Sequence, residues 1–249
     1  MNTLFIGQKV ISLSETSSTN NYAAKQVKEN CASEGLVILA DYQSDGKGQR
    51  GKSWDSIKGK NLLCSIVLTP NFIDVSNQFI LNKAIALAVL KAAELICPKS
   101  FIRIKWPNDI LIDDRKLAGI LLEATILGSQ IGSLIVGIGM NVNQHSFKIL
   151  GRQAVSLAQE LGKEIPISYV LQLVCKYLEV EYLKLKAGKF IQIDEEYQQN
   201  LWKLNEWQHL KIKDRKEYLK ILGVNFSGLL ETQNEEGKII LFRNGEVEF

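Results

Sequence analysis

The stretch Gly46-Lys47-Gly48-Gln49-Arg50-Gly51-Lys52-Ser53 fits two phosphate-binding patterns, GxxxxGK(S/T) and GxGxxG, and the residues after it decide which fold it belongs to. Both patterns require a helix to begin at the loop, because the helix N-terminus holds the phosphate. Residues 54–61 contain turn formers and no apolar repeat of 3.6 residues, and residues 62–68 then predict an apolar strand. We therefore predict a glycine-rich loop between two strands, which surrounds an anionic ligand with backbone N–H groups and the cations Lys47, Arg50 and Lys52.

The composition is that of a soluble globular protein with one sizeable core. Of the 249 residues, 46% are hydrophobic and 23% are charged, and the net charge is only +3. This mild charge is spread along the chain, so no nucleic-acid partner is expected. The N-terminus lacks the pattern of a signal peptide, and Lys91 and Glu94 interrupt the apolar stretch from Ala84 to Cys97, so no membrane partner is expected either.

Four cysteines, Cys31, Cys64, Cys97 and Cys175, are widely separated, and each lies inside or beside an apolar segment. No CxxC pair is present, so neither a disulfide framework nor a zinc site is indicated. We expect four buried, reduced thiols in a cytoplasmic protein.

Runs of β-branched and apolar residues bounded by Gly, Asp, Asn or Pro predict one sheet. Its predicted strands cover residues 37–40, 62–68, 101–106, 110–112, 117–126 and 133–142, with a hairpin turn at Asp113-Asp114-Arg115. Small polar residues before an amphipathic stretch predict a helix over residues 20–29, and apolar periodicity predicts helices over 82–96 and 168–186.

From about Trp207 onward the pattern changes to short strands separated by glycines, as in a small β-barrel. We therefore predict an α/β domain over residues 1–205 and a small β domain over residues 206–249.

Three further motifs follow the glycine-rich loop: Lys105-Trp106-Pro107-Asn108-Asp109, then the run from Lys116 to Glu123, then Gly137-Ile138-Gly139-Met140-Asn141-Val142-Asn143. With Ser18-Thr19-Asn20 and Tyr42-Gln43 upstream, this series closely resembles the biotin protein ligases over nearly the whole chain. The resemblance implies a class II synthetase-like α/β catalytic domain with a mixed or antiparallel sheet, followed by an SH3-like barrel.

The resemblance also implies a reaction. The family joins the carboxylate of biotin to the α-phosphate of ATP, releases pyrophosphate, and passes biotin from biotinyl-5'-AMP to a lysine of a carrier domain of acyl-CoA carboxylase. Two anions must meet in the first step, so fixed cations and Mg²⁺ are needed to offset their repulsion. The expected assembly is a monomer or a homodimer.

Residue by residue, the family motifs imply a candidate site. The catalytic candidates are Lys116, Asp109 and Arg50. The biotin-binding candidates are Ser18, Thr19, Asn20, Gln43, Gly46, Lys116 and Gly119. The candidates for binding ATP or the adenylate are Lys47, Gly48, Gln49, Arg50, Gly51, Lys52, Trp54, Lys105, Asn108 and Asn141. No protein-only metal site is implied.

Several of these residues have ordinary structural explanations that the sequence leaves open. Ser18, Thr19 or Asn20 could cap the first helix, and Asn108 and Asp109 have the chemistry of a turn. Lys105 could be a solvated cation at a strand end. Trp106 is first of all a core residue, and an isolated tryptophan such as Trp54 is usually one too.

Three other functions are weighed against this hypothesis. A lipoate protein ligase would carry an Arg-Arg pair and a triple-glycine run, which this sequence lacks. A regulator with an N-terminal DNA-binding domain is not expected, because Ser18 comes too soon after Met1. A P-loop NTPase would need a helix beginning at Lys52. His145 and His209 lie far apart in sequence and form neither a catalytic triad nor a metal motif.

The loop departs from the family pattern, which has arginines where this chain has Lys47 and Gln49. The missing arginine at position 49 usually helps to retain the adenylate, so we predict faster leakage of the intermediate than from an all-arginine loop. The variant Gln49→Arg should therefore release adenylate more slowly, as measured by trapping the free intermediate with hydroxylamine. An unchanged release rate would contradict this prediction.

Overall fold

The computed structural model describes residues 2–147 and 154–249. Its main sheet consists of β1 (Val10–Leu13), β2 (Val37–Ala40), β3 (Leu62–Leu68), β4 (Ile102–Lys105), β5 (Asp109–Ile112), β6 (Arg115–Leu127) and β7 (Gln130–Met140). The strand order is β1-β2-β3-β7-β6-β5-β4, in which β1 and β2 are parallel and all other neighbours are antiparallel.

The helices of the described residues are α1 (Thr19–Lys28), α2 (Phe79–Ile96), α3 (Leu157–Leu161), α4 (Ile167–Lys186) and α5 (Phe190–Gln199). Helices α2 and α4 pack against each other and cover one face of the sheet, where they bury the main apolar core. Of the helices in the described ranges, α1 alone packs on the other face, against β2, β3 and β7, over a small cluster that includes Ala23, Ile38 and Val67.

Alternation along the strands explains why the two faces differ. In β3, Leu62, Cys64 and Ile66 belong to the main core, while the buried hydroxyl residue Ser65 lies between them on the opposite face. Helix α2 is buried along nearly its whole length, as its Ala- and Leu-rich sequence requires.

A second, antiparallel sheet follows, with β8 (Trp207–Ile212), β9 (Arg215–Val224), β10 (Leu230–Gln233) and β11 (Ile239–Phe242) in the order β11-β10-β9-β8. A mixed α/β fold followed by a small β domain is the fold class that the sequence predicts, and it is confirmed. The boundary at residue 205 stays a prediction.

A buried lysine joins the second sheet to the first domain. The ammonium group of Lys83, in α2, pairs with Asp194 of α5 and donates to the backbone oxygens of Val224 and Asn225 at 2.7 and 3.2 Å. Burial lowers the pKa of Lys83, and the adjacent Asp194 opposes that effect. Trp106 adds a second link: it is buried, as expected, and its indole N–H donates to the carbonyl oxygen of Gly228 at 3.0 Å.

Several elements differ from the sequence-based prediction. Helix α2 begins at Phe79, one turn earlier than predicted, and β1, α3 and α5 were missed. These three elements are short, and the apolar repeat of α5 is interrupted by acidic and amide side chains. No α-helix follows the glycine-rich loop: only a short 3-10 turn at Gln49–Gly51 is present, and Arg50 has φ of 55°. The P-loop alternative is therefore wrong.

Among the helices of the described ranges, none combines the length and apolar character needed to cross a bilayer.

The expectation of four buried thiols is wrong for one of them. Cys64, Cys97 and Cys175 are buried, but Cys31 follows the end of α1 and is exposed. The nearest apolar residue before it, Val27, belongs to α1, while Cys31 itself follows the turn that ends the helix.

Thiol titration should show this difference. Burial raises the pKa of Cys97 to about 11 and that of Cys175 to about 12, and it raises the pKa of Cys64 as well. These thiols stay protonated and shielded at pH 8, so a disulfide reagent should modify one of the four thiols in the native protein. Cys31→Ser should abolish this fast reaction. Rapid modification of a second thiol in that variant would contradict the assignment.

Candidate active site

Gly119, Gly137 and Gly139 form the floor of a trough on the face of the sheet that carries α1. In the register of β6 and β7, Gly119 lies opposite Gly139, and Leu121 lies opposite Gly137. A Cβ atom on Gly137 would lie 2.3 Å from Oδ1 of Asn20, and one on Gly139 would lie 2.5 Å from the Trp54 ring. The Gly-Ile-Gly motif therefore places side chains into the core on one face and lets polar and aromatic groups approach the backbone on the other.

The N-terminus of α1 closes one end of the trough with polar groups. Ser18 is the N-cap and accepts from the backbone N–H of Asn21 at 3.5 Å. The backbone N–H and the hydroxyl of Thr19 lie 2.7 and 2.9 Å from Oε1 of Gln43. Within this motif, Ser18 therefore caps the helix, while Thr19 and Asn20 face the trough.

Two site residues were missed by the sequence analysis. Oγ of Ser65 lies 2.7 Å from the Thr19 hydroxyl and 2.6 Å from Oδ1 of Asn20. Nδ2 of Asn20 donates to Oε2 of Glu123 at 2.7 Å. A polar residue in the middle of the otherwise apolar β3 was the available signal for Ser65. For Glu123 the only available signal was its position on the same face of the strand as Gly119 and Leu121.

An ion pair occupies the middle of the trough. Nζ of Lys116 lies 2.7 Å from Oδ1 of Asp109, and both side chains are partly shielded from solvent. A bulge in the pairing of β5 with β6 lies between them, and Asp109 is paired with Gly119. Nζ of Lys116 would lie 3.3 Å from a Cβ on Gly119, so the absence of that atom gives the ammonium group room over the floor.

Two asparagines hold the backbone around this ion pair. Asn108 donates from its side chain to the carbonyl oxygen of Ile120 at 2.8 Å, which fixes the bend before β5. Asn141 donates from its side chain to the carbonyl oxygen of Lys116 at 3.2 Å. Both residues shape the site in this structure, whatever they contact in a ligand complex.

Trp54 covers the glycine floor beside Lys116. Its ring centroid lies 5.5 Å from Nζ of Lys116, and a Cβ on Gly119 would lie 3.1 Å from the ring. Its indole nitrogen is buried and has no hydrogen-bond partner among the described residues. Trp54 therefore offers both an aromatic face and an unused donor at the site.

The glycine-rich loop forms a small hairpin. The backbone N–H of Gly48 donates to the carbonyl oxygen of Lys52 at 2.6 Å, and that of Trp54 donates to Gly46 at 2.8 Å. Nζ of Lys47 donates to Oδ1 of Asn21 at 2.8 Å, which ties the loop to α1.

The same loop contacts the second domain. Oε1 of Gln49 accepts from Nδ2 of Asn244 at 2.8 Å, and Arg50 donates to the Asn244 carbonyl oxygen at 3.4 Å. Gly245 has φ of +86°, and a Cβ there would lie 0.7 Å from Nη1 of Arg50. The turn after β11 thus accommodates the guanidinium group only because residue 245 is a glycine.

The structure groups most, but not all, of the predicted residues. Lys116, Asp109, Trp54 and the α1 residues surround the trough, and the loop runs from α1 to the second domain. The ammonium group of Lys105 instead lies 4.8 Å from the ring centroid of Phe249, on the side of the second domain. Lys52 and Gly51 lie exposed at the loop end, and the structure gives them no distinct role.

Comparison with known proteins places the chain in a family. The model of the Biotin/lipoate A/B protein ligase family matches residues 13–141. The bifunctional ligase/repressor BirA of Bacillus subtilis is 30% identical over 243 residues, which cover 95% of this chain and 73% of that protein. The biotin--[acetyl-CoA-carboxylase] ligase of Paracoccus denitrificans is 37% identical over 131 residues, 52% of this chain and 53% of that one.

A solved structure agrees over nearly the whole length. The biotin protein ligase of Aquifex aeolicus, in complex with biotin and ATP, superposes with a TM-score of 0.80 at 29% identity, covering 97% of this chain and 98% of that one. The chain therefore belongs to the Biotin/lipoate A/B protein ligase family and is a ligase that groups with the biotin protein ligases.

Proposed function

We propose that the protein activates biotin with ATP and transfers it to a lysine of a biotin carboxyl carrier domain of acyl-CoA carboxylase. The observation that carries the proposal is the position of Lys116. Its ammonium group lies over the glycine floor beside Trp54, and the polar residues of α1 border the same floor at Gly137. A permanent cation between a polar pocket and a cationic loop can offset the repulsion between a carboxylate and a triphosphate as they approach each other.

In the first step, a carboxylate oxygen of biotin attacks the α-phosphorus of ATP. The new C–O–P bond forms as the bond to the β-phosphate oxygen breaks, and pyrophosphate leaves. Lys116 neutralises the carboxylate as it approaches and the α-phosphate oxygens as charge develops on them. Asp109, at 2.7 Å, fixes the position of that ammonium group.

In the second step, the amine of the carrier lysine attacks the carbonyl carbon of biotinyl-5'-AMP. A C–N bond forms, the C–O bond to AMP breaks, and the amine proton passes to solvent or to the departing phosphate. Asp109 is the carboxylate best placed to orient the incoming amine once the ion pair with Lys116 loosens. The glycine-rich loop holds the anhydride away from water until the carrier arrives.

Each of the remaining site residues is assigned to the substrate, biotin or ATP, whose chemistry its side chain suits. Ser18, Thr19, Asn20 and Gln43 suit the cyclic urea of biotin, and half-buried Leu121, beside Gly137, suits its alkyl chain. Trp54 suits adenine by stacking, and Asn141 suits the polar edge of the base. The loop residues Gly46 to Lys52 suit the phosphates. Lys105, on the side of the second domain, is assigned only to the outer phosphates.

Mg²⁺ is proposed to enter with ATP. Among the described residues, no group of three His, Cys, Asp or Glu side chains could hold a metal ion on its own. Mg²⁺ commonly binds through one or two carboxylates, while phosphates and water complete its coordination. Asp109 fits this requirement, and the ion would supply positive charge at the phosphates. The cytoplasmic setting remains a prediction, supported by the four free thiols.

The proposal is tested by incubating the protein with ATP, Mg²⁺ and either biotin or lipoate. We expect biotin-dependent exchange of pyrophosphate into ATP, and a mass gain of one biotinyl group on a carrier domain. Activity with lipoate alone would favour the lipoate branch of the family. No exchange with either acid would overturn the proposal.

Replacing Lys116 should abolish the first step without unfolding the protein. We expect Lys116→Met to slow biotin-dependent pyrophosphate exchange by about 10²-fold or more, because one charge stabilising the transition state is lost. Lys99→Met is the matched control and should leave the rate unchanged. Lys99 is exposed and lies in the loop between α2 and β4. Equal rates for the two variants would contradict the role of Lys116.

The contact between the loop and the second domain should help to retain the intermediate. Asn244→Ala removes the hydrogen bond to Gln49, which is worth about 1 kcal/mol at most at an exposed position, so adenylate release should accelerate by up to about fivefold. Pyrophosphate exchange should change less than release does. Asn234→Ala, in another turn of the second domain, is the control for an effect on barrel stability. Release as slow as in the wild type would contradict this role.

A further inference from the structure

Four oxygen atoms form a continuous row at the α1 end of the trough. They are Oε1 of Gln43, Oγ1 of Thr19, Oγ of Ser65 and Oδ1 of Asn20. Neighbouring oxygens along the row are separated by 2.9, 2.7 and 2.6 Å. Thr19, Ser65 and Asn20 are buried, and Gln43 is half-buried.

The orientations of the two amide groups are fixed by their outer partners. The backbone N–H of Thr19 can only donate, so the atom of Gln43 that faces it at 2.7 Å must be the oxygen. Glu123, as a carboxylate, can only accept, so the atom of Asn20 that faces it at 2.7 Å must be the NH₂ group. Both amides therefore present oxygen, not nitrogen, to the hydroxyls between them.

Counting hydrogens shows that the row is one donor short. Three short oxygen–oxygen distances need three hydrogens, but the hydroxyls of Thr19 and Ser65 provide only two. One pair of oxygens in close approach is left without a hydrogen, which is electrostatically unfavourable in a buried place. A ligand N–H group that donates to either oxygen of this pair satisfies that acceptor, and the two oxygens can then move apart.

Glu123 maintains the deficit. If residue 123 could donate, the amide of Asn20 could turn over, accept from residue 123 and supply its own NH₂ hydrogen to Ser65. The row would then be complete without a ligand. The negative charge of Glu123, at the solvent-exposed end of the row, excludes this arrangement.

We propose that Glu123 is a positioning residue, which holds the side-chain amide of Asn20 with its oxygen towards the hydroxyls. The pocket is therefore poor in hydrogen-bond donors and selects an acid whose cyclic urea carries N–H groups. This inference rests on the proposed function, and it adds the residue that limits the number of hydrogen-bond donors in the proposed biotin pocket. The dithiolane ring of lipoate carries no N–H group and gains nothing from the row.

The test variant is Glu123→Gln, which keeps the shape of the side chain and allows residue 123 to donate a hydrogen bond. The matched control is Glu217→Gln, the same change at an exposed residue of β9 in the second domain. Biotin affinity is measured by titration calorimetry, together with KM for ATP and the melting temperature. We expect Glu123→Gln to weaken biotin binding by up to about tenfold, the effect of losing one hydrogen bond between neutral groups, with KM for ATP and the melting temperature unchanged. Glu217→Gln should bind biotin as the wild type does.

A double-mutant cycle separates positioning from a general electrostatic effect. If Glu123 acts through Asn20, Glu123→Gln should have no further effect in the Asn20→Ala background. Ser65→Ala provides a second background, in which the row is interrupted and the penalty should also disappear. An unchanged penalty in either background would overturn the proposal, as would biotin binding by Glu123→Gln within twofold of the wild type. Failure of the wild type to bind biotin at all would instead overturn the proposed function.

Discussion

The close approach of side chains to the backbone of β6 and β7 is the constraint on which the site depends. Asn20 and Trp54 both rest where a Cβ atom on Gly137 or Gly139 would otherwise be. Overpacking at such a position costs about 1–3 kcal/mol in a rigid environment, and here the displaced groups are those that form the pocket. The same strands bury Val136, Ile138 and Met140 on their other face, so the core and the trough are two sides of one alternating sequence.

Charge is arranged around this floor in a consistent way. Lys116 places its ammonium group over the floor, and its partner Asp109 holds it there. The loop adds further cations, and it is attached at one end to α1 through Lys47 and at the other to the second domain through Arg50. Because the loop lies between the two domains, the position of the small β domain affects the site even though its own residues do not line the floor. Lys83 and Trp106 fix that position by reaching the same segment of the second domain, residues 224–228.

The sequence was most informative where a local pattern has one physical explanation. The strand after the glycine-rich loop excluded a helix there, and apolar patterning placed the Gly-Ile-Gly motif inside a predicted strand, residues 133–142. It was misleading for Cys31, because apolar neighbours in sequence do not ensure burial at a helix end. It gave no indication that Arg50 and Asn244 would meet, since residues almost two hundred positions apart are brought together only by packing of the two domains.

The resemblance to the biotin protein ligases supplied Lys116 and Asp109, the paired charges of the trough. By itself the sequence determined the class of fold and the hydrophobic patterns of the main strands. These follow from periodicity and residue chemistry, which are local properties. Only the tertiary structure decided that Ser18 serves as the helix cap while Thr19 and Asn20 face the trough, and that Ser65 and Glu123 join them. Hydrogen-bond direction depends on which donor faces which acceptor across separate strands, and that arrangement exists only once the sheet and α1 have packed together.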